Sequence, residues 1–132
     1  MFNSIDISTS GLVAQRIRMN TCAANLANVD TVMSPDGGPY QRRKVLFQTG
    51  KDGQDRTGAG VHVARIEKEA VFRTEYDPSN PYADENGNVK LPGIDPLMEM
   101  ANMIEAQRAY EANITAVSVG KDMLNSSLRL LA

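Results

Sequence analysis

Hydrophobic spacing divides the chain into three stretches. In the first, Ile5, Leu12, Met19 and Leu26 recur every seven residues, with Cys22 and Val29 filling part of the companion positions. Apolar residues at that spacing form the seam of a packed helix. The helix is predicted over about residues 5–29, with Asn3 or Asp6 as candidate caps, and Pro35 stops anything longer. Ser8, Thr9, Ser10 and Gly11 are weak helix formers, so its first turns should fray. In the last stretch, Met103, Tyr110, Val117, Leu124 and Leu131 form a strict seven-residue series, and Asp95-Pro96 reads as an N-cap followed by proline at the first helical position. The companion series there is Met100, Gln107, Ile114, Lys121 and Leu128. Its two polar members either snorkel from an ordinary surface helix or fix register against a specific neighbour.

Between the two the period falls to two. Val45 and Phe47 alternate with Lys44, Leu46 and Gln48, and Val61, Val63 and Arg65 surround His62 and Ala64. Gly50, Gly53, Gly58 and Gly60 bracket a turn-rich loop between these runs, and Asn86-Gly87 before Val89 and Leu91 is a hairpin signal. Residues 40–94 therefore read as three to five short strands. All six prolines lie between Pro35 and Pro96, and eight of the ten glycines between Gly37 and Gly93, so the breakers stay out of the flanks. The fold expected is α+β: long N- and C-terminal helices packing as a coiled-coil-like pair, with a small β-rich middle. The segments are 1–30, 31–94 and 95–132.

This division creates a geometric problem. A helix over 96–130 is about 50 Å long, whereas a compact chain of this size has a radius of gyration of about 14 Å. Its seam continues to Leu128 and Leu131, and one partner helix cannot cover both of its faces. Exposed apolar stripes mark association surfaces, so the sequence asks for other chains. Without them the termini are expected to be partly disordered, because ordering needs neighbours to offset conformational entropy.

Composition removes most other functions. The 132 residues carry a net charge of −2, which is no footprint for nucleic acid or an anionic membrane. The only basic cluster, Arg42-Arg43-Lys44, reads as the solvated face of a strand. No apolar run exceeds three residues, so nothing spans a membrane. The start, Met1-Phe2-Asn3-Ser4-Ile5-Asp6, lacks the basic region and apolar stretch of a secretory signal. A lone Cys22 excludes an intrachain disulfide and a thiolate zinc cluster, and fits a small buried hydrophobe. His62 has no second histidine or cysteine beside it and reads as a satisfied strand residue. Asp84-Glu85-Asn86-Gly87 lacks the alternating ligands of a calcium loop and reads as a turn, and Gly58-Ala59-Gly60 is too short for a phosphate cradle. Glu67 and Glu69 share a strand face, as paired catalytic carboxylates would, but a solvated face explains them equally. No catalytic, cofactor or metal constellation emerges, and no small-molecule substrate is implied.

Three asparagines stand out. Asn25, Asn28 and Asn113 lie in or beside helical seams, although asparagine is a poor helix former. Exposure or a helix terminus accounts for them blandly; amide bonding to neighbouring helices is the preferred reading.

Ser10-Gly11-Leu12 with Ala14-Gln15-Arg16, then Met19-Asn20, Asn25-Leu26-Ala27-Asn28 and Thr31, resembles the N-terminal signature of the flagellar rod and hook proteins. Pro39-Tyr40-Gln41-Arg42-Arg43 with Val45 and Phe47 resembles the next segment of one member of that family. Ala109-Tyr110-Glu111-Ala112-Asn113, with Lys121-Asp122-Met123 and Leu128, is similar to the family's C-terminal helix. Length, the Asp77 to Pro81 segment and the short middle are most similar to a proximal-rod member, and the resemblance covers essentially the whole chain. One departure is Val29-Asp30, inserted between Asn28 and Thr31 where relatives vary.

The resemblance implies a non-enzymatic subunit of the bacterial flagellar basal-body proximal rod, without cofactor, that transmits motor torque. Its terminal helices would form an inner domain around the export channel, with the middle segment outside. Its partners would be copies of itself and other rod proteins, and the flagellar type III export apparatus during secretion. Its place would be the rod in the periplasmic space, reached without a cleaved signal peptide. The expected assembly interface comprises Ile5, Leu12, Met19, Asn25, Leu26 and Asn28 of the first helix, and Met103, Tyr110, Asn113, Ile114, Val117, Leu124, Leu128 and Leu131 of the second. A rival from another class is a coiled-coil dimeric adaptor presenting its β segment to a ligand.

Overall fold

The structure, a computed structural model, describes residues 2–50 and 59–132. Its elements in chain order are α1 (Phe2–Ala27), β1 (Arg42–Thr49), β2 (Val61–Glu69), β3 (Phe72–Tyr76), β4 (Asn88–Pro92) and α2 (Pro96–Leu131). Two long helices flanking short antiparallel strands match the α+β expectation. β1 pairs with β2 and β3 with β4, as two separate two-stranded sheets.

The helices lie antiparallel along each other. Gly120 sits beside Ile5, Gly11 beside Asn113, Arg18 pairs with Glu105, and Asn25 with Glu99. α2 starts where predicted: Asp95 accepts the Leu97 amide at 3.0 Å, and Pro96 follows in the first turn. α1 starts earlier than the cap signals say. Asn3 and Asp6 lie inside it, because the first turns are held against α2 around Gly120 and so continue to Phe2. It ends at Ala27, where the Asn28 side chain turns back onto the Ala24 carbonyl at 2.8 Å.

The line of α2 that faces α1 differs from the predicted companion series. Met100, Gln107, Ile114, Lys121 and Leu128 are all exposed. The residues turned to α1 are Glu99, Ala106, Asn113 and Gly120, one helical position away; Glu99, Ala106 and Gly120 are buried. Size explains the choice. A Cβ added at Gly11 would come within 2.9 Å of the Asn113 amide, and one at Gly120 within 3.0 Å of Ile5. Backbones this close leave room only for small side chains on the contact line. The series Met103, Tyr110, Val117 and Leu124 flanks that line half-buried, as do Ile5, Leu12, Met19 and Leu26 on α1.

The middle segment holds four strands. The β1–β2 ladder shifts register between Leu46 and Phe47, leaving Ala64 without a partner. The glycine-rich loop predicted between them passes through Gly53 and Gly58, which lie outside the described residues; at its base the Gly50 amide donates to the Gly60 carbonyl at 3.1 Å. Asn86-Gly87 does not close the tight two-residue hairpin its sequence signals. It ends an eleven-residue connection from Asp77 to Gly87, in which Asp84 Oδ1 accepts the amides of Asn86 (2.9 Å) and Asn88 (2.8 Å). Gly87 has φ 78°, which only glycine adopts freely. The small core comprises Tyr40, Val89, Leu91, Pro92 and Ile94 at one end, and Ala14, Cys22 and Ala106 at the helix contact.

The helix contact makes a double-mutant prediction. Gly11→Ala should destabilise the chain, by about 1 kcal/mol or more, because the new methyl displaces Asn113. In an Asn113→Ala background the same change should be neutral or stabilising, since alanine favours helix by about 1 kcal/mol over glycine. Urea unfolding of the four chains decides; equal effects in both backgrounds would refute the close approach.

Candidate functional site

Among the described residues the largest fully buried side chain is an acid. Glu99, in the first turn of α2, is 1% exposed, and the positive end of the helix dipole favours its charge there. Its Oε1 accepts from Arg42 Nε of β1 at 2.5 Å and its Oε2 from Asn25 Nδ2 of α1 at 3.1 Å. Three elements therefore meet on one carboxylate. Arg42 is bound on its other side by Glu69 at 2.8 Å. Burial works against its charge, but the hydrogen bonds to Glu99 and Glu69 outweigh that cost and raise its pKa.

Asn25, 1% exposed, uses its whole amide. Its Oδ1 accepts from the Arg43 amide (2.9 Å) and the Tyr40 hydroxyl (3.1 Å), while its Nδ2 donates to the Arg43 carbonyl (2.8 Å) and to Glu99. Two donors and two acceptors are the full capacity of the group. It pairs with Arg43 as a neighbouring strand would, so it ties α1 to the rim of β1. Burial raises the Tyr40 pKa, partly offset by Arg43. Cys22 lies beside the junction; burial, then the neighbouring Glu99, raises its thiol pKa and keeps it unreactive.

The other two asparagines bond locally. Asn28 bonds the Ala24 carbonyl and accepts the Thr31 hydroxyl at 3.0 Å, closing α1. Asn113 bonds the Ala109 carbonyl one turn back at 2.8 Å, and its side chain packs on Gly11. The Arg42-Arg43-Lys44 cluster is not simply a solvated face. Arg42 turns inward to Glu99, and Arg43 lies 5.6 Å above the Tyr40 ring. Glu69 serves Arg42 and Glu67 pairs with Arg65, so neither carboxylate stands as half of a catalytic pair. His62 Nδ1 is 2.7 Å from the Gly50 carbonyl. Among the described residues no group of three or more histidine, cysteine or acidic side chains could hold a metal, and no helix is long and apolar enough to cross a membrane.

Of the predicted interface residues, Asn25 is buried, most are half-buried, and Ile114, Leu128 and Leu131 are exposed. Ile114 and Leu128 belong to an apolar stripe on one side of α2 that also includes Leu97, Met100 and Ile104, whereas Leu131 continues the Met103 series. Leu131 is 86% exposed, beyond the reach of α1. Sequence reasoning missed Glu99, Arg42 and Tyr40, and missed Gly11, Ala106 and Gly120 as the contact line. Ala106 and Gly120, two heptads apart, were the available signal for the latter.

An exposed apolar stripe on a helical pair is the mark of an association surface. The comparisons agree. The family described as flagella basal body rod protein matches residues 5–32, and that described as flagellar basal body rod FlgEFG protein C-terminal matches residues 85–130. The first matches the stretch containing most of α1, the second β4 and nearly all of α2. The flagellar basal-body rod protein FlgC of Aquifex aeolicus is 47% identical over 123 residues, 93% of this chain and 91% of the relative. That of Salmonella typhimurium is 44% identical over 98% of this chain and 97% of its own, and that of Bacillus subtilis 37% identical over the same shares. The chain belongs to the family of flagellar basal-body rod proteins FlgC. It is a structural subunit of the rod and not an enzyme.

The two kinds of asparagine predict different costs. Asn25→Ala leaves Glu99, the Arg43 backbone and the Tyr40 hydroxyl short of partners, and should destabilise by about 2–4 kcal/mol. Asn28→Ala removes a local cap and should cost about 1 kcal/mol. Chemical denaturation of both variants measures the difference; similar small losses would mean that the junction is not a central tie.

Proposed function

We propose that α2 presents its outer line to neighbouring subunits of the rod, while its inner line holds α1 of its own chain. The observation that carries this reading is the apolar line Met100, Ile114 and Leu128. Each of the three is between 47% and 56% exposed, at the heptad spacing that suits a second helix. Gln107 and Lys121 interrupt that line and would set the register of the neighbour. Ile5, Leu12, Met19 and Leu26, with Met103, Tyr110, Val117 and Leu124, complete the interface from the half-buried flanks of the pair.

On this reading copies of the chain and other rod proteins stack helically in the proximal rod, and packed helices carry motor torque along it. The three segments divide the work: 1–30 and 95–132 form the inner helical domain around the export channel, and 31–94 stiffens the tube from outside. Contacts that repeat head to tail without closing build a filament of this kind. The subunit reaches the rod, in the periplasmic space, through the flagellum's own export apparatus.

Leu128→Asp tests the interface because it puts a charge on the outer line without touching the α1 contact. In a flagellated strain that depends on this chain, rod assembly and motility should be lost. The purified variant should keep the circular dichroism and β-segment NMR shifts of the parent. Normal rods built from Leu128→Asp would refute the reading, and so would a closed, stable dimer at micromolar concentration through this face.

A further inference from the structure

Asn86-Gly87 is the one Asn-Gly pair in the sequence. Such a pair carries its own chemistry, because a residue without Cβ lets its amide nitrogen approach the preceding side chain. The Gly87 nitrogen gives up its proton and attacks Cγ of Asn86. The Cγ–Nδ2 bond breaks, and Nδ2 leaves with that proton as ammonia. Water, the only co-reactant, then opens the five-membered imide. Attack at Cγ gives aspartate, and attack at the backbone carbonyl gives isoaspartate. Asn86 is exposed, so water reaches it freely.

The loop is built against the first step. The Gly87 amide that would attack is donated to the Asp84 carbonyl at 3.0 Å. On either side of it the amides of Asn86 and Asn88 share one acceptor, Asp84 Oδ1, at 2.9 and 2.8 Å. The Gly87 carbonyl accepts the Asp77 amide at 2.9 Å. Gly87 is buried, and a Cβ there would lie 2.9 Å from the Tyr76 ring and 3.1 Å from Pro78. To bring the Gly87 nitrogen onto Cγ, the peptide plane between residues 86 and 87 must turn. That turn breaks the bond to the Asp84 carbonyl and pulls on both bonds to Oδ1.

We propose that Asn86 is a latent site of spontaneous deamidation, and that Asp84 is the clamp that keeps it closed. Opening it has a structural consequence. Isoaspartate adds a carbon to the main chain beside Gly87, where Tyr76 and Pro78 leave no space. The disturbance falls on the Tyr76–Asn88 pair, where β4 begins, and β4 carries the buried Val89 and Leu91. Every bond of the clamp lies between Asp77 and Asn88, so it requires neither terminal helix and no neighbouring subunit.

Peptide mass spectrometry of the full-length chain, incubated at neutral pH, reads the conversion of Asn86 to aspartate and isoaspartate. One hydrogen bond is worth about fivefold in a local opening equilibrium, so the three around Asp84 should make deamidation about a hundredfold slower in the folded chain than in the same chain unfolded in urea. Asp84→Ala removes the two side-chain bonds and should speed the reaction about twentyfold over the folded parent. Asp84→Asn keeps an acceptor oxygen in place and should stay within about twofold of the parent. That second variant decides the matter if the alanine variant does not fold. Equal rates in the folded and unfolded parent would overturn the clamp, and so would an Asp84→Asn chain as fast as the unfolded one.

Discussion

A buried carboxylate holds this molecule together. Glu99 stabilises the fold only while both partners stay in place, because an ion taken out of water costs several kcal/mol unless it is paired and hydrogen-bonded. Arg42 supplies the charge and Asn25 the second bond, and each comes from a different element. The side chain therefore fixes α2 against β1 and against α1 together. A hydrophobic cluster of the same size would tolerate sliding; a carboxylate held by two directed donors does not. For a structural subunit of a rod, a junction of defined geometry has an evident use.

The rest of the architecture is built around that tie. Close backbone approach at Gly11, Ala106 and Gly120 brings the helices together along a line of small side chains. Larger apolar residues are thereby displaced about 100° round α2, where Met100, Ile114 and Leu128 stand in solvent. One helix thus carries two heptad lines that share the Met103 series, a small-residue line for its own chain and a large-residue line left open. The open line follows from the tightness of the closed one. The chain cannot bury both without further copies or other proteins, which agrees with its membership of a family of rod subunits.

Much of this was legible in the sequence. Heptad spacing located both helices, Asp95-Pro96 fixed the start of α2, and breaker placement confined the strands to the middle. The contact line was not legible, because two heptad lines flank the Met103 series and hydrophobicity selects the one with Met100 and Ile114. Packing selected the other, on size. The junction was hidden for a related reason: an acid in a first helical turn and an arginine in a charged strand both look like surface residues. Nothing in the local sequence shows that they meet across fifty-seven positions. Asn25 stands out in the sequence as polarity out of place, and it does cross to other elements. Asn28 and Asn113 showed the same pattern for local reasons, which spacing does not separate from the first. The Asn86-Gly87 signal failed because Asp84 organises a longer loop whose bonds lie outside the dipeptide.

One side of α2 is held by its own chain through Glu99, and on the proposed reading the other side is held by a neighbour. Cryo-electron microscopy of basal bodies built with this chain would show both sides at once. The chain should lie within the rod, its Glu99 still bonded to Arg42 and Asn25, with a helix of another subunit over Met100, Ile114 and Leu128. A rod in which that line faces the open channel or solvent, or in which α1 has left α2 to pair elsewhere, would contradict this arrangement.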